Sequence, residues 1–169
     1  MHREEPVSAT HQMYLKALYR LSEVHPVGRV RDIANELSIT PGTVSTGLNK
    51  LQELGLVDRE RYGGAQLTPA GSAVANCVMR RYETLKALLI EVFGVEPENA
   101  EADACLMEHV VSPATTNRMA AILARLRDGE SIDLKSLKHH HSNTKPACAD
   151  CEAAGVCRAA ESAARNEGT

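Results

Sequence analysis

The sequence contains no tryptophan and one phenylalanine, Phe93, and aromatic residues make up only 3% of its 169 positions. Because hydrophobic residues still amount to 43%, the core must be aliphatic, built from Leu, Val, Ile, Ala and Met. No apolar run approaches the roughly 20 residues of a membrane helix, and the opening MHREEPVSAT lacks the apolar segment of a secretory signal. We therefore expect a cytoplasmic protein of one domain or two small ones, with no membrane partner.

A strong charge imbalance is also missing, since the net charge is −3. The charge is unevenly divided, however, with 10 Lys/Arg against 8 Asp/Glu in residues 1–81 and 9 against 14 in residues 82–169. A mildly basic N-terminal half can approach nucleic acid while an acidic half faces away. The asymmetry is too weak to establish DNA binding by itself.

Helical periodicity dominates the start of the chain. It predicts a first helix over residues 8–25, which Ser8 or Thr10 can cap. His25-Pro26 ends this helix and Gly28 begins a turn. The expected buried face contains Tyr14, Leu18 and Leu21, with Met13 at its edge.

A helix-turn-helix pattern follows. Residues 30–37 predict a short amphipathic helix, and Thr40-Pro41 predicts the start of a longer one, with a cap followed by proline at the first helical position. This longer helix ends at Gly55, which suits a left-handed C-terminal cap. Two short helices joined by about four residues, the second rich in small polar side chains, are typical of DNA-binding proteins. The candidate DNA-contacting residues are Thr40, Gly42, Thr43, Ser45, Thr46 and Lys50, and the expected core residues are Val30, Ile33, Ala34, Leu37, Val44, Leu48 and Leu51.

The next segment predicts a β-hairpin. Residues 56–61 alternate in polarity, Gly63-Gly64 supplies the turn, and residues 65–68 return. A hairpin directly after a recognition helix predicts the wing of a winged helix, in which Arg59 or Arg61 could contact phosphate. The alternative is a winged helix that contacts protein instead of DNA.

Three more helices are predicted in the second half. Thr68-Pro69 starts a long helix through Val92 closed by Gly94, a second runs from about Pro97 to Val111, and a third runs from Ser112-Pro113 to Asp128 and ends at Gly129. Their apolar residues exceed what one thin helical layer can bury, so we expect a homodimer. These residues are Val74, Val78, Leu85, Leu88, Leu89, Val92, Ile122, Leu123 and Leu126, while Cys77 is expected to be a small core residue. The predicted fold is mainly α, with a winged-helix DNA-binding domain (1–71), a helical metal-binding and dimerisation domain (72–128), and a linker with a Cys-rich tail (129–169).

Residues 103–109 read D-A-C-L-M-E-H. On a helix, Cys105, Glu108 and His109 stand at i, i+3 and i+4 and project from one face. A thiolate, a carboxylate and an imidazole on one stripe provide three ligands for a divalent transition metal. On spacing alone, a core-facing cysteine beside a capped or surface Glu-His pair is the more frequent arrangement.

Four features of the chain together resemble the family of the diphtheria toxin repressor and the manganese transport regulator. They are H-Q-M-Y-L-K-A-L-Y-R-L at 11–21, the winged helix, L-T-P-A-G at 67–71 and D-A-C-L-M-E-H-V-V-S at 103–112. These proteins are metal-activated transcriptional repressors, and the resemblance covers about residues 8–128. It implies that a residue of the first helix completes the metal site. By resemblance the site is Met13, Cys105, Glu108 and His109, and the partners are a palindromic double-stranded DNA operator and a second copy of the chain. No small-molecule substrate is expected.

The resemblance also bears on the metal. Manganese-type members place oxygen ligands where this chain has Met13 and Cys105, and thioether and thiol suit a later, softer ion than manganese. We therefore expect Fe²⁺, with Mn²⁺, Co²⁺, Ni²⁺ or Zn²⁺ able to bind in vitro. A Mn²⁺-responsive repressor is the alternative.

Two departures from the iron-type members are expected. Their ancillary metal site corresponds here to Tyr82, Lys86 and Glu101, and a charged lysine cannot ligate, so the resemblance implies that this site is absent or rebuilt. Iron-type members also usually carry an SH3-like domain, for which this chain is too short.

The Cys-rich tail stands in place of that domain. In a reducing cytosol, cysteines point to metal or redox chemistry rather than to structural disulfides. Three cysteines with one histidine could close a zinc site, and three cysteines with an outside ligand could hold an iron–sulfur cluster. The residues concerned are Cys148, Cys151, Cys157, His139, His140 and His141. A tail of reducible thiols without a metal is the third alternative.

Other classes of function stay open at this point. A regulator whose main sensor is a zinc or iron–sulfur site in the tail fits the same sequence. A thiol-redox or metal-handling protein that has lost DNA binding also fits it. An enzyme using Cys105 with His109 is not expected, because the Cys-His pair is accounted for as metal ligands.

Overall fold

The computed structural model describes residues 7–23, 27–59 and 64–132 of the chain. These residues form six helices and three strands, in the order α1 (Ala9–Ser22), β1 (Gly28–Arg29), α2 (Val30–Glu36), α3 (Pro41–Glu53), β2 (Val57–Arg59), β3 (Gly64–Leu67), α4 (Pro69–Glu91), α5 (Pro97–Met107) and α6 (Pro113–Arg127). The chain divides into two compact units, residues 1–79 and 80–169, with the division inside α4. No helix of the described residues is long and apolar enough to span a bilayer.

Helix α1 begins where its cap predicts. The Ser8 hydroxyl accepts a hydrogen bond from the His11 N–H at 3.2 Å, which satisfies one of the donors left open at a helix N-terminus. The helix ends at Ser22, three residues before the predicted end, and the His25-Pro26 step lies outside the described residues. Its buried face contains Tyr14, Leu15, Lys16, Ala17 and Leu18, whereas Leu21 is only partly buried.

Helix α3 follows its sequence signals closely. The Thr40 hydroxyl accepts from the Thr43 N–H at 3.2 Å, and Pro41 opens the helix. Gly55 has φ +69°, the left-handed conformation that glycine adopts at low cost. All three predicted core residues, Val44, Leu48 and Leu51, are fully buried.

Gly47 allows α1 and α3 to pack closely. A Cβ atom placed on Gly47 would lie 2.0 Å from Cε2 of the buried Tyr14 ring. Since this distance is far below a van der Waals contact, any larger residue at position 47 would push the two helices apart. The position of α3 against α1 therefore depends on this glycine.

The wing belongs to a three-stranded antiparallel sheet with strand order β1-β3-β2. The predicted hairpin is present, and Val57, Asp58 and Arg59 pair with Leu67, Gln66 and Ala65 respectively. The expectation that Gly28 begins a turn was wrong, because Gly28 pairs with Ala65 as the first residue of β1. Gly64, expected in the hairpin turn, is the first residue of β3.

In the second half, the cap-plus-proline signals again mark helix starts. The Ser112 hydroxyl accepts from the Thr115 N–H at 3.2 Å and Pro113 begins α6. Helices α4 and α6 end one residue before the predicted positions, at Glu91 and Arg127. Both are followed by the predicted glycines in left-handed conformation, Gly94 and Gly129.

The apolar residues expected to need a second copy fall into two groups. Val74, Val78, Leu85 and Leu123 are already buried within the single chain, so the expectation was wrong for them, and Cys77 is buried as predicted. Leu88, Leu89, Ile122 and Leu126 are partly buried, and Val92 is exposed. The large apolar side chains that stay on the surface include Val92, Phe93, Leu106 and Val110.

Candidate metal centre and nucleic-acid face

The candidate metal ligands of the second unit lie at the C-terminal end of α5. This helix ends at Met107, so the predicted extension to Val111 was wrong. Glu108 is the C-cap, with helical dihedral angles, and its N–H still donates to the Ala104 carbonyl at 3.0 Å. The helical backbone therefore continues through Glu108, and His109 lies in the turn that follows.

Glu108 and His109 lie side by side in this turn. The Glu108 side chain is 0% exposed and that of His109 is 9% exposed, with Oε1 and Nε2 3.3 Å apart. A carboxylate taken out of water needs a compensating positive charge. Two donor atoms bound to one ion at about 2.1 Å each, at about a right or tetrahedral angle, are about 3.0–3.4 Å apart. The spacing of this pair fits two ligands of a single cation, and it equally fits a direct contact between the carboxylate and a protonated imidazole.

Cys105 lies one helical turn before this pair. It is partly buried and packs, with Met107 and Val111, against the core cluster of Tyr82, Leu85 and Ala104. In the described ranges 7–23, 27–59 and 64–132, no three His, Cys, Asp or Glu side chains are grouped closely enough to hold a metal ion. The structure thus brings Glu108 and His109 together but does not bring Cys105 into the same group. The complete ligand set stays a prediction.

Met13, the fourth predicted ligand, belongs to the first unit. It lies on α1 with 36% of its surface exposed, immediately before the buried run from Tyr14 to Leu18. The expectation that it stands at the edge of the buried face agrees with this exposure. The geometry of the first unit alone does not test whether Met13 is a metal ligand.

A second cluster in this unit occupies the positions of the ancillary site. Glu101 Oε1 accepts from the Tyr82 hydroxyl at 2.8 Å and from Lys86 Nζ at 2.9 Å. Lys86 Nζ also lies 5.7 Å from the centre of the Tyr82 ring. The hydrogen bond to Glu101 raises the pKa of Lys86 above its usual value, and this effect outweighs the lowering caused by desolvation. Because an ammonium group already neutralises Glu101, these three side chains do not fit a metal site.

The exposed side of α3 carries the predicted DNA contacts. Gly42, Thr43, Thr46 and Lys50 are exposed, and Ser45 is partly buried. Several of their polar groups bond locally: the Thr46 hydroxyl donates to the Gly42 carbonyl at 3.1 Å, and Lys50 Nζ lies 3.3 Å from Glu53 Oε2. Short side chains bound to their own helix leave a smooth surface, which suits insertion into a major groove.

Arg59 of the wing forms hydrogen bonds to residues of α3. Its Nη1 group donates to the Ser45 carbonyl and to the Ser45 hydroxyl, each at 3.3 Å, and to Asn49 Oδ1. Asn49, an exposed residue of α3, was missed by the sequence analysis. Its position three residues after Thr46 could have suggested a role in DNA contact. Its hydrogen bond with Arg59, however, exists only in the folded chain, between two different elements. Arg61, the other predicted wing residue, lies outside the described residues.

The predicted tail site also lies outside the described residues. It comprises Cys148, Cys151, Cys157, His139, His140 and His141. Zinc binding, cluster binding and metal-free thiols therefore stay open for this segment.

Comparison with known families gives two matches that together cover most of the chain. The model described as iron dependent repressor, N-terminal DNA binding domain, matches residues 7–65. The model described as iron dependent repressor, metal binding and dimerisation domain, matches residues 68–131. The two matches follow the order of the winged helix and the α4–α6 helices.

Individual relatives agree with this assignment. The chain is 29% identical over 116 residues to an uncharacterised HTH-type transcriptional regulator of Methanocaldococcus jannaschii, covering 68% of this chain and 93% of that protein. It is 31% identical over 114 residues to the diphtheria toxin repressor of Corynebacterium diphtheriae, covering 68% of this chain and 50% of that protein. The chain thus spans about half the length of the diphtheria toxin repressors it matches.

Solved structures with the same fold include both iron and manganese regulators. IdeR of T. acidophilum superimposes with a TM-score of 0.59 and 25% identity, covering 70% of this chain and 54% of that one. A manganese-dependent transcriptional repressor in complex with manganese gives a TM-score of 0.63 and 29% identity, covering 68% and 52%. With both domain models matched in order on a winged helix followed by three helices, the chain belongs to the iron-dependent repressor family, whose members include the diphtheria toxin repressors and IdeR.

Proposed function

We propose that this protein is a cytoplasmic, Fe²⁺-activated transcriptional repressor that binds a palindromic operator as a homodimer. The observation that carries the proposal is the buried Glu108–His109 pair at the end of α5, with its donor atoms 3.3 Å apart. It lies within the segment matched by the metal-binding and dimerisation domain of the family. The winged helix, matched by the DNA-binding domain, supplies the surface for the operator.

The proposed ion is held by Met13, Cys105, Glu108 and His109. Met13 comes from the DNA-binding domain and the other three from the metal-binding domain, so an ion bound by all four links the two. Metal can shift the population of the DNA-binding form only by binding it more tightly than the other form, and about 5.5 kcal/mol changes a 1:99 ratio to 99:1. In a dimer, the linked form would place the two recognition helices about one turn of DNA apart, roughly 34 Å.

Iron is favoured over manganese by the donor set. A thioether and a thiolate are softer than the carboxylate and carbonyl oxygens that suit Mn²⁺. A Mn²⁺-responsive repressor is the second candidate, because the neighbour determined with manganese shares this fold at 29% identity. Target genes for metal uptake, repressed when the ion is plentiful, follow from either candidate.

A second copy of the chain is supported by the surface of the second unit. Phe93, Leu106 and Val110 are 67%, 74% and 81% exposed. Large apolar side chains in such number favour a partner surface over exposure to water. The C-terminal family domain is described as a dimerisation domain, and a two-fold dimer matches a palindromic operator.

The test is anaerobic DNA binding with and without metal. Operator fragments selected from upstream regions of metal-uptake genes are titrated with protein in Fe²⁺, in Mn²⁺ and in chelator, with fluorescence anisotropy as the readout. We expect tight binding only with metal, and tighter binding with Fe²⁺ than with Mn²⁺ at equal free concentration. Binding that is unaffected by either metal would contradict the proposal.

A variant at Met13 tests the proposed ligand set more directly than the comparison of metals. Met13→Leu keeps the volume of the side chain and removes the sulfur, so it separates ligation from packing. We expect this variant to remain dimeric by sedimentation and to lose most of its iron-dependent gain in affinity, whereas Met13→Cys retains part of it. An unchanged iron response in Met13→Leu would remove Met13 from the ligand set.

A further inference from the structure

The wing and the recognition helix are joined by a hydrogen-bond cluster that the metal-activated mechanism does not use. Arg59 of β2 reaches α3 and donates from Nη1 to the carbonyl and hydroxyl oxygens of Ser45 and to Asn49 Oδ1. All three residues belong to the first unit. Asn49 is exposed on the same helix as Thr46 and Lys50. The amide group of Asn49 therefore lies on the side of α3 that carries the predicted DNA contacts, and Arg59 of the wing holds it in place.

Arginine fixes the orientation of this amide. A guanidinium group has five N–H donors and no acceptor, so only the oxygen of the Asn49 amide can face it. The Nδ2 group, with its two donors, is thereby turned to the opposite side of the amide. Towards DNA, Asn49 consequently presents its Nδ2 donors, because its acceptor oxygen is turned towards Arg59.

We propose that Asn49 is a specificity-determining residue that reads guanine in the major groove, and that Arg59 is the positioning residue that sets this preference. The inference rests on the proposed function, since it requires that α3 enters the groove of an operator. Guanine presents two acceptors there, N7 and O6, whereas cytosine presents the N4 donor. An asparagine that turns its donors to the groove favours the base with the most acceptors.

The same chemistry explains why adenine is disfavoured. Asparagine usually pairs with adenine by accepting from N6 and donating to N7 at the same time. That pairing needs the amide oxygen and nitrogen to point together at the base edge. The hydrogen bond from Arg59 directs the oxygen towards the wing, so only the contact to N7 is left. Without Arg59, the oxygen is released and the adenine pairing becomes available.

The first experiment is selection of binding sites from random duplexes, performed anaerobically with Fe²⁺ and in parallel with Mn²⁺. Wild-type protein should enrich guanine at one symmetry-related position in each half-site. Asn49→Ala should lose about tenfold discrimination at that position only. Arg59→Ala should change the preferred base there from guanine to adenine. Gln52→Ala, which removes another exposed amide from α3, is the matched control and should select the same site as wild type.

The second experiment uses the wild-type protein and altered DNA. Replacing the selected guanine by 7-deazaguanine removes the N7 acceptor and leaves the base pair intact. Binding should weaken by about threefold to tenfold for wild type and remain unchanged for Asn49→Ala. Equal sensitivity of the two proteins, or an unaltered base preference in both Asn49→Ala and Arg59→Ala, overturns the inference while leaving the repressor function intact. A wild-type protein that selects no sequence with either metal overturns the proposed function and this inference with it.

Discussion

Two carboxylates of the same unit, Glu101 in α5 and Glu108 at its end, occupy opposite environments. Glu101 is 58% exposed and holds the ammonium group of Lys86 at 2.9 Å together with the hydroxyl of Tyr82. Glu108 is completely buried beside the imidazole of His109. One carboxylate is neutralised by a cation that the chain itself supplies. The other is buried, so water screens little of the attraction between its carboxylate and a cation beside it, whether a bound metal ion or a protonated His109.

The difference indicates how many metal ions the chain can hold in these two places. A lysine ammonium and a divalent ion compete for the same carboxylate oxygens, and the lysine is always present at high local concentration. For these two places we therefore expect one metal ion, at Glu108 and His109, and none at Glu101. Substitutions at Glu108, Cys105 and Lys86 and a change of pH test this contrast between a built-in and an exchangeable cation.

The largest effect is expected from Glu108→Gln. The change keeps the shape of the side chain but removes the negative charge and one strong oxygen ligand. Loss of a hydrogen-bond partner behind a ligand already lowers metal affinity by about 10-fold to 100-fold, so loss of the ligand itself should exceed about 100-fold. Anaerobic titration with Fe²⁺ followed by calorimetry measures the change. Glu101→Gln is the matched control and should bind iron like wild type.

Cys105 is expected to have the next largest effect. Cys105→Asp replaces a soft thiolate by a hard carboxylate, so the preference for Fe²⁺ over Mn²⁺ should fall by about tenfold, about 1.4 kcal/mol. Competition between the two ions, read by operator binding, measures this ratio. Cys77→Ala, at a buried cysteine of α4, tests for general effects of removing a thiol. An unchanged ratio in Cys105→Asp would show that the cysteine is only a core residue.

The starts of the helices were predictable because their signals are local. Thr40 and Ser112 each cap a helix through an N–H three residues away, and each precedes a proline. Strand β1 could not be predicted, because its two residues exist as a strand only through pairing with Gly64 and Ala65. The end of α5 was misplaced for a related reason. The Val111 N–H still bonds to the Met107 carbonyl at 2.9 Å, so no sequence signal separates the helix from the turn that follows.

The candidate site was predictable only in part. The i, i+3, i+4 spacing identified Glu108 and His109, and the structure brings their side chains together. It did not determine whether Cys105 joins them, because Cys105 also packs against the core cluster of Tyr82, Leu85 and Ala104, a tertiary contact that spacing does not reveal. Asn49 was missed because its significance comes from Arg59, ten residues away in sequence and on another element.

A smaller effect is expected from Lys86→Glu. The change removes the built-in cation and places a second carboxylate beside Glu101 and Tyr82, which creates a cluster of oxygen donors suited to a hard divalent ion. The number of Mn²⁺ ions bound per chain at millimolar metal should rise by one relative to wild type, as measured by equilibrium dialysis. Lys86→Ala, which removes the ammonium without adding a ligand, should bind the same number as wild type. Two ions bound by the wild-type protein at the Glu101 cluster would contradict the proposed role of Lys86.

The smallest effect is expected from alkaline pH. The pKa of Lys86 is raised above the usual lysine value of 10.5, mainly by the hydrogen bond to Glu101. A group whose pKa is higher in the folded state stabilises the fold fully below its unfolded pKa and loses this contribution as pH rises through the folded pKa. The difference in melting temperature between wild type and Lys86→Ala should therefore be constant up to about pH 10 and should shrink above it. Because the Lys86 and Glu101 side chains are 29% and 58% exposed, solvent screens the pair and the difference should be small throughout. A difference that grows above pH 10.5 would mean that the ammonium–carboxylate contact is not what stabilises this cluster.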